Sequence, residues 1–307
     1  MTLTSVPPTT EAVVASAPAQ VDTAPAPGRR RVPWRVRFTR SALPTAAMWI
    51  LAALFLVPIL WLILSSLKPA GELFTFPLSV FPENPTLENY AGAWEKIDFA
   101  RYVGNTALVA TVTTALTVFV SACTGYALAK YQSWVLRALF ICFLATTMLP
   151  TEVILSPSFI VVRNLGLYDT LAGVIVPSII TATGIFMFRQ FFMTVPDELI
   201  DAARMDGARE LTIFFRIMLP LASPILVTLA IFSFQWRWND YVWPLIVLNS
   251  PELFTLQTAL RSLVGAENIQ WSLLLAASVI SILPLLVIFL IFQKYIVSAD
   301  LNAGLKD

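Results

Sequence analysis

Residues 271–293 read WSLLLAASVISILPLLVIFLIFQ, twenty-three positions without a charge. As a helix such a run extends about 35 Å, enough to cross the ~30 Å hydrocarbon layer of a bilayer. Uncharged runs of similar length recur at Thr45–Leu67, Thr106–Ala129, Thr170–Phe188 and Leu219–Trp236. A sixth, Ala138–Val162, is long enough but carries Pro150, Glu152 and Pro157. That composition predicts a broken helix whose freed backbone groups face protein or water. The expected fold is therefore an all-α integral membrane protein with six transmembrane helices.

The whole chain agrees with this reading. Of its 307 residues 57% are hydrophobic and 13% charged, with a mean hydropathy of +0.75, more apolar surface than a soluble core of this size can hide. A net charge of +1 and the absence of any basic stripe interleaved with aromatics point away from nucleic acid. Histidine is missing altogether, and the two cysteines, Cys123 and Cys142, lie inside apolar runs. The commonest metal-ligand and general-base chemistry is thereby removed, and no nucleophile–base pair suggests an enzyme.

Three regions are expected along the chain. Residues 1–41 form a cytoplasmic tail, first Pro/Ala-rich and disordered, then carrying Arg29, Arg30, Arg31, Arg35, Arg37 and Arg40. Residues 42–295 form the membrane domain, including a charged loop at 189–220, and residues 296–307 a C-terminal tail. Basic residues beside a span resist translocation, which places both termini in the cytoplasm. With that orientation fourteen of the twenty Lys and Arg lie on the inner side, leaving Lys68, Lys96, Arg101, Arg163, Arg237 and Arg261. The outer loops are then 68–105, 163–169 and about 244–270.

The loop between the fourth and fifth spans is charged yet has helical apolar spacing. Pro196 suits a first helical position, and Asp197 and Glu198 favour the positive end of a helix dipole. Leu199, Ile200 and Ala203 fall on one face. Gly207 interrupts the run, and Leu211, Phe214, Phe215 and Met218 follow at i, i+3, i+4 and i+7. The reading is helix, glycine turn, helix, with Ala202, Ala203 and Ala208 small enough for a partner to approach closely. An interfacial helix lying on lipid is the alternative that the residues alone leave open.

Here the sequence resembles the membrane subunits of bacterial binding-protein-dependent ABC importers. Their cytoplasmic signature is Glu-Ala-Ala, three residues, Gly, nine residues, Ile-x-Leu-Pro. This chain has Asp201-Ala202-Ala203, Gly207, Ile217 and Leu219-Pro220 at the same spacing, with Asp for Glu. The likeness extends to Ser66-Leu67-Lys68-Pro69, Tyr126-Ala127-Leu128-Ala129, Leu165-Gly166-Leu167 with Thr170, and Trp238-Asn239-Asp240-Tyr241-Val242-Trp243-Pro244-Leu245. It covers roughly residues 45–307 and is similar to the carbohydrate-type branch, which includes maltose and glycerol-3-phosphate permease subunits.

The resemblance implies a type I importer permease fold in the bacterial inner membrane, working by alternating access. Its implied partners are a dimer of ATPase subunits, a second homologous permease subunit and an extracytoplasmic solute-binding protein. It implies ATPase docking by Asp201, Ala202, Ala203, Arg204, Asp206, Gly207, Ala208, Phe214, Leu219 and Pro220. No Gly-x4-Gly-Lys-Ser/Thr phosphate loop occurs in the chain, so no cofactor is expected on it, and ATP and Mg belong to the partner ATPase.

The solute implied is a di- or oligosaccharide or a glycerol phosphate. Candidate path residues are Asn239, whose amide gains nothing from lipid, Glu152, a carboxylate at membrane depth, and the aromatics Trp236, Trp238 and Trp243. Arg237 and Asp240, three apart, are expected either to serve the path or to pair with each other. A secondary transporter or channel is the alternative function, but it normally needs several intramembrane ionisable groups, and Glu152 is nearly alone.

Overall fold

A computed structural model describes residues 34–77, 79–131, 133–264 and 269–303. The Pro/Ala-rich tail expected at 1–28 lies outside the described residues. The chain divides after Leu56 into two units. In the first, Trp34–Leu56 is the beginning of a continuous helix α1, Trp34–Ser66. The helix therefore starts well before Thr45, and the segment with Arg35, Arg37 and Arg40 is helical, not part of a tail.

The second unit holds the remaining elements. They are α2 (Glu88–Lys96), α3 (Phe99–Lys130), α4 (Trp134–Thr146), α5 (Thr151–Asn164), α6 (Leu171–Ile175), α7 (Ala182–Thr194), α8 (Asp197–Met205), α9 (Glu210–Ile213), α10 (Leu219–Leu221), α11 (Ser223–Trp238), α12 (Val242–Val247), α13 (Leu256–Leu260) and α14 (Trp271–Ala303). Among the described residues no β-strand forms. The helix α14 runs on to Ala303, past the apolar span that ends at Ile291, so the expected C-terminal region begins as helix.

Four segments are long and apolar enough to cross a bilayer singly: Pro44–Ser66, Phe99–Lys130, Leu171–Thr194 and Trp271–Ile291. Two bent pairs bring the total to six if each is one span. The α4–α5 pair turns by 114°, the broken helix that its prolines predict. Its break falls between Thr146 and Thr151, with Pro150 capping α5, while Pro157 is accommodated inside that helix. In the other pair, Glu210–Leu221 and Ser223–Trp238, the axis turns by 75°, so the fifth apolar run is bent just after Leu221. Pro224, which has no N–H to donate, stands in the first turn after the bend.

The core is organised on α3. Thr106, Ala110, Thr113, Thr117, Ser121 and Gly125 repeat every three or four residues, and all are buried. Small side chains allow neighbouring backbones to approach, the main source of helix affinity where lipid is the solvent. A Cβ on Gly125 would lie 2.5 Å from Phe188 Cβ and 2.9 Å from Arg189 N, and one on Gly184 would lie 2.5 Å from Ser121 Oγ. The α3–α7 crossing therefore needs glycine on both helices. On its other side α3 meets α11, where Thr114 donates to Ser233 Oγ at 3.3 Å.

Gly125→Ala should therefore destabilise the fold by about 1–3 kcal/mol through overpacking. Gly104→Ala, on the same helix with nothing within 4 Å, should leave stability unchanged within about 0.5 kcal/mol. Thermal unfolding in detergent reads both; equal melting of the two variants would refute the close crossing.

Candidate functional site

Two parts of the second unit gather the polar chemistry, one at the Lys130 end of α3 and one beside its middle. At the Lys130 end lies the 195–221 loop. Asp197 and Glu198 occupy the first turn of α8 as the dipole favours, but Pro196 is the N-cap residue, one position earlier than expected. Asp206 ends the helix, and Gly207 follows at φ +80, where a side chain would be strained. The Gly207 and Ala208 amides donate back to Arg204 and Ala203 carbonyls at 2.9 and 3.0 Å, closing the last turn.

The loop is tied down by charge. Lys130 donates to the Val195 carbonyl and pairs with Asp197, both at 2.6 Å. Arg204 bridges Glu210 at 2.8 Å and Asp201 at 3.2 Å, and Tyr131 donates to the other Glu210 oxygen at 2.8 Å. The Arg204 hydrogen bond, followed by that of Tyr131, holds the Glu210 carboxyl below its ordinary range, and Glu210 in turn raises the Arg204 guanidinium. Asp201, for all its shorter reach, is thus engaged within the loop.

Burial divides the expected docking residues. Asp201, Ala202, Arg204, Asp206, Gly207 and Pro220 are exposed, and Ala208 and Leu219 half-buried. Ala203 and Phe214 are not available to a partner: they pack with Ile200, Ile213 and Met218 in the core beside Tyr126 and Phe192. The second segment also departs from its expected face. Leu211 and Phe215 are exposed while Ile213, Phe214 and Met218 are buried, because residues Phe214–Met218 form a π-turn that resets the helical phase. Met205 is 88% exposed beside Gly207. Its position in the i, i+4 spacing of α8, off the Ile200–Ala203 face, was the signal available for it.

The second part is a cavity of about 910 Å³ between α3, α7 and α11. Thr117, Thr181, Ser233, Gln235, Trp236, Asn239 and Tyr241 contribute to its lining, together with Arg237 and Asp240. The two charged groups pair at 3.2 Å, and Arg237 also donates to Ser178 at 3.1 Å. Trp236 is exposed, and Asn239 uses one amide hydrogen on the Gln235 carbonyl at 3.0 Å.

Three expected path residues lie elsewhere. Trp238 is buried in a different cluster with its indole N–H on the Ser281 carbonyl at 3.1 Å. Trp243 is buried against α6, its N–H on the Gly173 carbonyl at 3.3 Å. Each indole is fully used by packing and one hydrogen bond. Glu152 is exposed in the first turn of α5 and contributes nothing to the lining of this cavity; Pro150 opens the helix there, so the carboxylate meets the favourable end of a helix dipole. Sequence had no means to place Thr117 and Thr181 beside α11, since they come from elements far apart in the chain.

Elsewhere in the second unit, Asp169 ties the α5–α6 loop to the segment after α12. At φ +56 it accepts from the Asn249 and Ser250 amides at 2.8 and 2.9 Å and from Ser250 Oγ at 2.6 Å. Those bonds, Ser250's hydroxyl first, hold its carboxyl below the usual value. A carboxyl lowered by folding stabilises above the unfolded value, near 3.9, and loses that contribution as pH falls through the lower folded value. Thermal melts of the wild type should fall on acidification below about pH 4, and Asp169→Asn should lower melting at pH 7 while flattening that acid limb. An unaltered pH profile in the variant would exclude the latch.

Comparison with known proteins meets this architecture from three directions. Residues 121–299 match the family described as binding-protein-dependent transport system inner membrane component. The chain is 38% identical to the arabinooligosaccharides transport system permease protein AraQ of Bacillus subtilis, over 85% of this chain and 94% of that protein. It is 31% identical to the sn-glycerol-3-phosphate transport system permease protein UgpE of Yersinia pestis, over 74% and 84% respectively. A chain in the crystal structure of a bacterial ABC transporter involved in the import of the acidic polysaccharide alginate superposes with a TM-score of 0.75, at 24% identity, covering 85% of this chain and 98% of that one. That likeness is one of fold, and the fold is the type I importer permease architecture.

Proposed function

From the premise that the chain belongs to the family of inner membrane components of binding-protein-dependent transport systems, and is thus a transport component and not an enzyme, we propose that it carries a neutral saccharide across the membrane, driven by a separate ATPase. The loop 195–221 is the docking element. The observation that carries this reading is its build: a short helix, a left-handed glycine and a second helix, anchored from behind by Lys130 and Tyr131, with Met205 and Leu211 exposed. Exposed apolar side chains in a loop that also exposes Asp201, Arg204 and Asp206 suit a protein cleft.

In this reading ATP and Mg are held by two ATPase subunits, whose closure carries the loop and rocks the helices between inward- and outward-open states. A solute-binding protein delivers to the outer end, a second permease subunit completes the pathway, and both termini are cytoplasmic. AraQ and UgpE are named for arabinooligosaccharides and sn-glycerol-3-phosphate. Between such solutes the cavity favours the saccharide. Its charged lining, Arg237 and Asp240, is mutually paired, whereas a phosphate calls for an uncommitted cation. The exposed Trp236 face and the carboxamide and hydroxyl groups around it suit a sugar.

Met205→Asp, at an exposed position, should abolish uptake and solute-stimulated ATP hydrolysis in reconstituted membranes while leaving thermal melting nearly unchanged; Gly207→Trp should abolish both and also cost about 1–2 kcal/mol of stability, because a side chain at φ +80 is strained. Uptake at the wild-type rate by both variants would sink the docking assignment. For the cavity, Trp236→Ala should lower apparent affinity severalfold, the equivalent of about 1 kcal/mol for an aromatic face, and Glu152→Ala should have no effect. The reverse pattern in transport assays would move the path away from α11.

A further inference from the structure

A separate cleft of about 260 Å³ opens at the same end of the bundle as the α8–α9 loop. Tyr131, Ser133, Arg137, Phe140, Arg189 and Met193 line it, drawn from the end of α3, the first turns of α4 and the middle of α7. Two guanidinium groups face it and no carboxylate does. Ion pairs among the described residues engage Arg101, Lys130, Arg204 and Arg237, so neither Arg137 nor Arg189 is neutralised by one. The nearest acid traceable through a contact is Glu210, on the Tyr131 hydroxyl, and Arg204 already pairs with it.

The charge is held in place without being cancelled. The Arg189 guanidinium carbon sits 4.3 Å from the centre of the Phe140 ring, a cation–π contact. Ser133 caps α4, whose first turn contains no acidic residue, so the positive end of that 13-residue helix adds to the same field. Leu136, Phe140 and Met193 supply apolar surface, Tyr131 and Ser133 add hydroxyls, and neighbouring Trp134 is 81% exposed, a ring of the kind that settles at headgroup level.

We propose that this cleft binds an anionic membrane phospholipid, its phosphodiester on Arg137 and Arg189 and the first carbons of its acyl chains against Phe140 and Met193. A cleft that sets two guanidinium groups among apolar side chains, between membrane helices, matches the headgroup–acyl junction, whereas free phosphate leaves those apolar side chains wet. The inference rests on residence in a bilayer, not on ATPase docking or on the identity of the solute, so it stands or falls separately from them.

The test uses the full-length chain in nanodiscs of equal phosphatidylcholine and phosphatidylglycerol, released into native mass spectrometry. Wild type should retain phosphatidylglycerol in preference to phosphatidylcholine. The Arg137→Gln/Arg189→Gln double variant should lose that preference by on the order of tenfold, as expected for two basic contacts at a membrane surface, and Arg137→Lys/Arg189→Lys should keep most of it. Should the double variant misfold, Arg137→Gln alone, at an exposed position, carries the comparison with a smaller loss. Equal phosphatidylglycerol retention by wild type and the glutamine variants overturns the proposal, as does its displacement by millimolar inorganic phosphate, the mark of a free-anion site.

Discussion

The α3–α7 crossing is the contact from which the rest of the second unit is hung. In a lipid solvent the hydrophobic effect does not separate helix from helix, so approach must be bought by packing and internal hydrogen bonding. Gly125 against Phe188 and Gly184 against Ser121 let two backbones come close enough for both. Thr117, on the same stripe, then donates across to the Ser178 carbonyl at 3.3 Å. A larger residue at either glycine would push that donor out of reach as well as opening the packing.

The same helix organises both polar ends. At one, Asn105 donates to the Glu252 and Phe254 carbonyls at 2.9 and 3.0 Å, and Thr106 accepts from Leu256 N at 2.8 Å, so the turn leading into α13 is held by α3. At the other, Lys130 and Tyr131 hold the α8–α9 loop. Between them Thr117 lines the large cavity. One unbroken 32-residue helix thus touches both the loop and the cavity.

How much of this was legible varies with the distance over which each cause acts. The apolar runs depend on local composition and solvent, and they fall on the four segments long enough to cross singly and on the two bent pairs, though not on their ends: α1, α3 and α14 extend past their apolar stretches. Gly207 is a local backbone requirement and sat where its spacing placed it. The face of the second loop segment was misjudged, because one π-turn at Phe214–Met218 shifts Leu211 and Phe215 outward while leaving every residue type unchanged. Trp238 and Trp243 were misread for a different reason. Aromatic residues beside Asn239 look alike whether they face a solute or a helix, and only the Ser281 and Gly173 carbonyls distinguish them.

The buried Arg237–Asp240 pair shows why the cavity can be polar without being charged. Removing two ions from water is costly, and their attraction offsets that only when further hydrogen bonds complete the arrangement. Ser178 supplies one, and its own carbonyl accepts from Thr117 on α3. The pair therefore joins α11 to the turn before α7 and, through it, to α3, so the three walls of the cavity share one polar network. Breaking it from either side would strand a charge at membrane depth, which ties the shape of the cavity to the integrity of the pair. A wall locked in this way presents hydroxyls, amides and Trp236 as the groups left to meet a solute, the combination that underlies the proposal of an uncharged sugar.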